Sequence, residues 1–466
     1  MLRFFRLNDP YRLLGVLLIL IIVSLPLLIQ PAQLTLQELK GLLLGEALSS
    51  GKSLYIQLID DAAPLAAWFS KWVFVLFGKS ITARHLLALL LIFFQASYFG
   101  ILLINNKAHN ENTYVPSLIF AILTFFSFDL LSLSPELLAS TILLFALNNL
   151  FKEIEFKVQR DEIILNLGIY LGLASLIIFS YSIFLVGTIA ILILFTRITF
   201  RKTLLLIFGF ILPHAVIFSF YFFWNNQVAF ADYFYLANIA GSFSKLISLR
   251  AVFILGIVPI IYFFLALFML NREAHFTKYQ SQLLQVMFLW VLVALVQVAL
   301  SREFTPHSFY PFIPPLAYFI SHYLLLIRRK RIAEAMLWVF IVGILSTSWA
   351  SRKGKIESVD YSSFFPAESE FKSQVANKRL LVLGDDLGIF KGNKMAGYFL
   401  NWSLSKEIFE HPEYFENIVL IDQSFQNDAP EVIIDKDDLM KPILERIPRL
   451  QPLYRREGKF YYKVSN

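Results

Sequence analysis

Residues 13–29 read LLGVLLILIIVSLPLLI, an uncharged apolar run that follows Arg3, Arg6 and Arg12. As a helix it covers most of the ~30 Å hydrocarbon core of a bilayer, so it reads as a first membrane span. The Gln30-Pro31-Ala32-Gln33 behind it is a poor cleavage site, which favours an uncleaved span over a secretory leader.

Similar runs recur along the chain. The expected spans after the first are Leu86–Ile104, Val115–Phe128, Leu137–Phe151, Ile163–Phe179, Ile183–Phe195, Leu204–Trp224, Ala251–Leu270, Leu283–Leu300, Phe309–Ile327 and Ile332–Trp349. The chain has 466 residues, of which 57% are hydrophobic and only 16% charged, with a mean hydropathy of +0.64. Soluble proteins carry roughly 25% charge. The expected fold is therefore a polytopic α-helical membrane protein of about eleven transmembrane helices. There is no cysteine, which excludes disulfides and thiolate metal sites. The net charge of +7 sits between the apolar runs and not on one face, so it reads as topology and not as a nucleic-acid surface.

With the N-terminus in the cytoplasm, Arg3, Arg6, Arg12, Lys107, Lys152, Lys157, Arg160, Arg197, Arg201, Lys202, Arg272, Lys278 and Arg328-Arg329-Lys330-Arg331 all fall inside. The opposite side then carries Lys40, Lys52, Lys71, Lys79, Arg84, Lys245, Arg250 and Arg302, about half as many cations as the inside. That orientation places the loop 31–81 and everything after Trp349 outside. Within the loop, Ala66–Phe77 contains Trp68, Lys71 and Trp72 and is too short to span, so an interfacial helix is expected there. Leu39, Leu42 and Leu43 give Leu36–Leu48 the spacing of a second one.

Composition turns polar at Ser351, which divides the chain into a membrane domain, 1–350, and a C-terminal domain, 351–466. In the latter, Arg379–Leu383, Ile418–Ile421, Val432–Ile434 and Phe460–Val464 read as strands, with helices at Ala396–Glu410 and Leu439–Glu445. Alternation of this kind predicts a small periplasmic α/β domain. Gly384-Asp385-Asp386 follows the first strand and reads as an ordinary strand-end turn.

The opening loop concentrates the chemistry. Glu38, Asp60 and Asp61 lie just outside the bilayer, beside the Pro64-Leu65 segment. A carboxylate pair in one pocket would suit acid–base work or a divalent cation, although Asp in such positions is more often a turn residue. Arg84, at the end of a span, can snorkel to the headgroups or meet a phosphate. Arg302 and His307, with Tyr310, share an outer loop rich in Pro and Tyr and read either as phosphate contacts or as topology and loop rigidity. Asp129 and Glu136 read as solvated turn residues, and His214 beside Pro213 as a packed kink. Asn225, Asn226, Asp232 and Tyr233 could line an acceptor groove.

In order, Gln37-Glu38, Ser50-Gly51, Asp61-Ala62-Ala63-Pro64-Leu65 with Trp68, Phe77-Gly78 and Ala83-Arg84-His85-Leu86 resemble the first outer loop of GT-C glycosyltransferases. The branch is that of protein O-mannosyltransferases and lipid A aminoarabinose transferases. Arg302-Glu303-Phe304, Pro306-His307, Tyr310-Pro311 and Pro314-Pro315 are similar to the family's late Arg-Tyr-x-x-Pro-x-x-Pro entry into a span. The detailed match covers about a sixth of the chain, and order and membrane side carry it more than any single motif.

The resemblance implies a bacterial inner-membrane enzyme that moves a sugar from a polyprenyl-phosphate donor to an envelope acceptor, with no certain cofactor beyond that donor and a possible divalent cation. Its implied partners are membrane lipids, the polyprenyl-phosphate sugar, an envelope acceptor and other envelope proteins. The implied catalytic carboxylates are Glu38, Asp61 and Asp60, with Arg84, Arg302, His307 and Tyr310 toward the substrate phosphate. The family's usual Asp stands at Gln37, which cannot act as a base, and its aminoarabinose branch has a Lys near Ala62 or Ala63 that is missing here. A catalytically silent GT-C-like scaffold subunit is therefore an alternative. A transporter or flippase ranks third, because the charges gather at span ends and not within the spans.

Overall fold

The computed structural model describes every residue except 31–32, 156–159, 242, 274–275 and 465–466. Pro31 and Ala32, where the opening loop begins, thus lie outside the described residues. The chain divides into two compact units. The first contains Met1–Ala32, Ser80–Ile217 and Ser242–Ser363, and the second contains Gln33–Lys79, Phe218–Gly241 and Phe364–Asn466. The C-terminal domain expected from 351 thus enters a compact unit from Phe364 onward, in company with two segments from earlier in the chain.

The first unit is helical. Among the described residues eight helices are long and apolar enough to cross a membrane, from Arg12–Ile29 to Lys330–Arg352. A ninth passes only as a bent pair, Leu249–Leu255 with Ile257–Glu273, which meet at 64° around Gly256. Two expected spans are shorter than anticipated. Val115–Leu123 is a wholly buried helix that gives way to a turn at Phe128–Leu131, and Asp161–Ser175 stops before Phe179. Small residues bring backbones together, as expected where lipid supplies no hydrophobic drive between helices. A Cβ on Gly168 or Gly172 would strike the Leu206 or Phe210 carbonyl oxygen of the helix Phe200–Phe223, and one on Gly209 would strike that of Leu165. His214 Nε2 lies 2.8 Å from Ser175 Oγ, a packed residue as expected.

In the second unit the helix Leu36–Ser49 buries Leu39, Leu42, Leu43, Leu44 and Leu48 and packs on the helix Pro64–Phe77. Pro64 occupies the first turn of that helix, where a missing N–H costs nothing. The tail forms a five-stranded sheet in the order Lys394–Met395, Arg379–Leu383, Val432–Asp435, Phe460–Lys463, Tyr454–Glu457. The first three strands are parallel and the last two join antiparallel.

The expected strand at Ile418–Ile421 is instead part of a helix, Phe415–Asn427. Ile421, Ser424 and Phe425 are buried at i, i+3 and i+4, and this helical stripe outweighs the short apolar run read as a strand. The helix expected from Ala396 starts only at Trp402, because Gly397 takes φ +78 and the chain bends there before the Asn401 cap. The turn at Gly384 borders a cavity of about 10 Å³, and the Asp386 carboxylate accepts from Ser369 Oγ at 2.7 Å. It is an ordinary turn.

The glycine contacts give a stability test. Replacing Gly168→Ala should cost about 1–3 kcal/mol, because the new methyl meets backbone and not a movable side chain. Replacing Gly41→Ala, where nothing lies within 4 Å in a helix interior, should gain up to about 1 kcal/mol. Thermal unfolding in detergent should move in opposite directions for the two variants. Equal shifts would contradict the close helix contact.

Candidate functional site

The opening loop is shaped by its own polar residues. Thr35 caps the helix Leu36–Ser49 by accepting from the Glu38 N–H, and the Glu38 carboxylate accepts from Thr35 N–H at 3.0 Å and from its hydroxyl at 2.9 Å. This reciprocal capping box gives Glu38 a structural task. Asp60 closes a turn on itself, its Oδ1 accepting the Ala62 N–H at 2.8 Å.

Tyr55 is buried with φ +64, a conformation rare for an aromatic residue, and its hydroxyl donates to the Ala62 carbonyl. Burial, followed by Tyr221, Asp60, Asp61 and Tyr235 nearby, raises the Tyr55 phenol well above its ordinary range. The phenol is therefore a standing hydrogen-bond donor and not a proton source.

Asp61 is held differently. Its Oδ1 accepts a 2.8 Å hydrogen bond from Asn401 Nδ2 of the tail. The register that brings Asn401 there comes from the backbone: Ile59 N–H donates to Tyr398 O at 2.7 Å, and Asn401 N–H donates to Ile59 O at 3.1 Å. A second fixing point lies at Lys52, whose Nζ donates to Gly397 O at 2.6 Å and pairs with Asp428 at 2.5 Å. Asp428 also accepts from Gly397 N–H and pairs with Arg379. Burial, aided by the Arg379 cation, pulls the Lys52 ammonium down to about 8.

The third contributor is the segment 218–241. Its Ala231–Leu236 stretch is a π-helix, a rare form that recurs at functional sites. The Tyr233 ring stacks at 6.4 Å from Tyr55, and Asn238 Nδ2 lies 3.4 Å from the Asp61 carbonyl oxygen. Of the residues expected to line an acceptor groove, Tyr233 is thus beside the carboxylate turn.

The remaining expected residues belong to the first unit. Arg84 is buried near the start of the helix Ile81–Asn105, and Arg302 is half-buried, its carbonyl accepting from Ser244 N–H at 2.7 Å. His307 and Tyr310 brace the turn Pro306–Phe312 internally. His307 Nε2 lies 3.0 Å from Ser132 Oγ and 3.2 Å from the Asp129 carbonyl oxygen, while Nδ1 lies 3.3 Å from the Asp129 carboxylate. The Tyr310 hydroxyl donates to Leu130 O at 2.6 Å and is buried.

The expectation that Asp129 and Glu136 are solvated is corrected. Asp129 is only 3% exposed, and Glu136 Oε2 is buried without a hydrogen-bond partner. Asp129 is the single charged residue in the stretch 112–135, and that isolation within an apolar run was the signal. Asn401, Lys52 and Asp428 were not picked out from sequence. Asn401 alone carried a hint, as the helix cap of the Asn401-Trp402-Ser403 step. Among the described residues, no group of three or more His, Asp or Glu side chains is placed to hold a metal ion.

No family model and no curated protein matches the sequence. Solved structures do. ArnT from Cupriavidus metallidurans, in its crystal structure bound to undecaprenyl phosphate, aligns with a TM-score of 0.57 and 14% identity over 97% of this chain and 98% of that one. The Archaeoglobus fulgidus oligosaccharyltransferase in its apo form aligns at TM-score 0.49 and 10% identity, over 91% of this chain and 69% of that one.

The Asp428 cluster predicts an asymmetry. Asp428→Asn leaves Lys52 and Arg379 without their counter-charge and should cost about 3 kcal/mol. Lys52→Met leaves Asp428 still paired with Arg379 and Gly397 N–H and should cost about 1 kcal/mol. Unfolding in detergent reads both. The reverse order would contradict the arrangement.

Proposed function

We propose, for a chain with the GT-C fold of membrane glycosyltransferases, that it transfers a sugar from a polyprenyl-phosphate donor to a hydroxyl of an envelope acceptor at the outer face of a bacterial inner membrane. The supporting observation is a fold shared over nearly the whole length of both chains with a protein whose crystal structure holds undecaprenyl phosphate. The cation bias between the two sides supports this orientation.

In this reading Asp61 is the base. Glu38 and Asp60 each close on nearby main chain, whereas the Asp61 carboxylate is set by a side chain from another segment. The acceptor hydroxyl gives its proton to Asp61 and its oxygen attacks the sugar C1. The bond from C1 to the phosphate oxygen breaks, and polyprenyl phosphate leaves with that electron pair. Arg84 and Arg302 are the cations offered to the departing phosphate. His307 and Tyr310 serve that end indirectly, by fixing the turn beyond Arg302.

The second reading, a GT-C body without catalysis, draws on Gln37 and on the capping role of Glu38. One assay separates the two. Purified protein in nanodiscs is given undecaprenyl-phosphate-linked glucose, mannose, galactose and aminoarabinose with lipid A, glycan and protein acceptors, and release of undecaprenyl phosphate is followed. Wild type should turn over at least one donor. Asp61→Asn should fall by about 10²- to 10⁴-fold. Glu38→Gln, which can still complete a capping box, should stay within a few-fold of wild type. A folded wild type that turns over none of the panel favours the scaffold.

A further inference from the structure

We infer that Asn401, a residue of the C-terminal tail, is the positioning residue for Asp61, so that the tail is a working part of the transfer site and not an appended module. The inference rests on the reading above in which Asp61 is the base.

A carboxylate at the end of a loop has two rotatable bonds and no intrinsic direction. Asp61 is aimed by a donor that is itself fixed on three sides. Asn401 N–H donates to Ile59 O at 3.1 Å, two residues before the carboxylate, which sets its height along the loop. Asn401 Oδ1 accepts from Ser403 N–H at 3.1 Å and from Ser403 Oγ at 2.7 Å, which fixes the amide plane and settles which end carries the nitrogen. Asn401 O accepts from Ser405 N–H at 3.0 Å and Ser405 Oγ at 2.8 Å, which anchors the start of the helix Trp402–Glu410. With its oxygen committed to Ser403, the amide can offer Asp61 only N–H, and it does so at 2.8 Å.

The chemistry of this arrangement is that of an orienting second residue. A neutral amide donor directs one oxygen of the carboxylate and brings no charge of its own to it. A Lys or Arg in the same place would compete with the acceptor proton for that charge. The contact joins residues 340 positions apart, and it is made beside a strand-like bridge between loop and tail, Ile59 opposite Phe399.

Because Asn401 also caps a helix, the test separates the two tasks. Asp and Ser are both good N-caps, so Asn401→Asp and Asn401→Ser keep the cap and remove the amide donor. In the nanodisc assay, measured on whichever undecaprenyl-phosphate-linked sugar wild type consumes, both should lower kcat by about 10- to 100-fold with donor KM within about twofold. Thermal unfolding should stay within a few degrees of wild type. In an Asp61→Asn background, Asn401→Asp should cause no further loss of kcat, since its effect runs through Asp61.

Asn401→Asp and Asn401→Ser variants with wild-type kcat, beside an Asp61→Asn variant that is inactive, would overturn the inference and leave the reading of Asp61 standing. A multiplicative loss in the double variant would assign Asn401 a role independent of Asp61 and overturn it too. An Asp61→Asn variant as active as wild type would remove both the base and the inference.

Discussion

The second compact unit depends on two backbone hydrogen bonds that receive Ile59 between Tyr398 and Asn401. Each is worth only about 0.5–1.5 kcal/mol net, but together they set a register, and register decides which side chains meet. Ile59 itself is buried in the tail core with Phe399, Phe409 and Tyr398. Its carbonyl and amide would be costly to bury unpaired, so the apolar packing and the two bonds require each other. Lys52 on Gly397 and Asp61 on Asn401 then fall on either side of the same short stretch, 397–401. That stretch cannot be helical where Gly397 takes φ +78, and its non-helical course leaves the Tyr398 carbonyl and Asn401 N–H open to Ile59.

This constraint ranks the three carboxylates of the opening loop. All lie in one unit, yet they are held by different partners: Glu38 by Thr35, Asp60 by Ala62, Asp61 by Asn401. The first two bonds are local, and they shape a helix start and a turn. The third reaches across the chain and orients a carboxylate next to Tyr55, whose strained backbone and fixed hydroxyl belong to the same turn. In the first unit the buried Asp129–His307 contact does comparable work, tying the turn Phe128–Leu131 to Pro306–Phe312.

The membrane body was legible in the sequence because apolar length is a strong signal and charge at span ends is a second one. It was less legible at Val115–Leu123, where burial by protein makes a short helix as apolar as a long one. In the tail, Arg379–Leu383 and Val432–Asp435 could be read from β-branched and leucine-rich runs, whereas Ile418–Ile421 carried the same signal inside a helix. The carboxylates of the opening loop could be named from sequence, but their long-range partners could not. Asn401 reaches Asp61 from 340 positions away, and such a pairing leaves no local pattern to read. Asp129 was misjudged for the opposite reason: proximity to a turn suggested water, and tertiary burial overrode it.

The most direct test of the loop's attachment to the tail exploits the absence of cysteine from the chain. Ile59 and Phe399 face each other across the bridge, with backbones about 5 Å apart, within reach of a disulfide. In an Ile59→Cys, Phe399→Cys double variant, mild oxidation should link the two residues in nearly all molecules. The cross-link is read by mass spectrometry after proteolysis between the two sites. If both thiols instead react fully with a maleimide and no link forms in the folded protein, the loop does not dock on 397–401, and the placement of Asp61 by the tail is wrong.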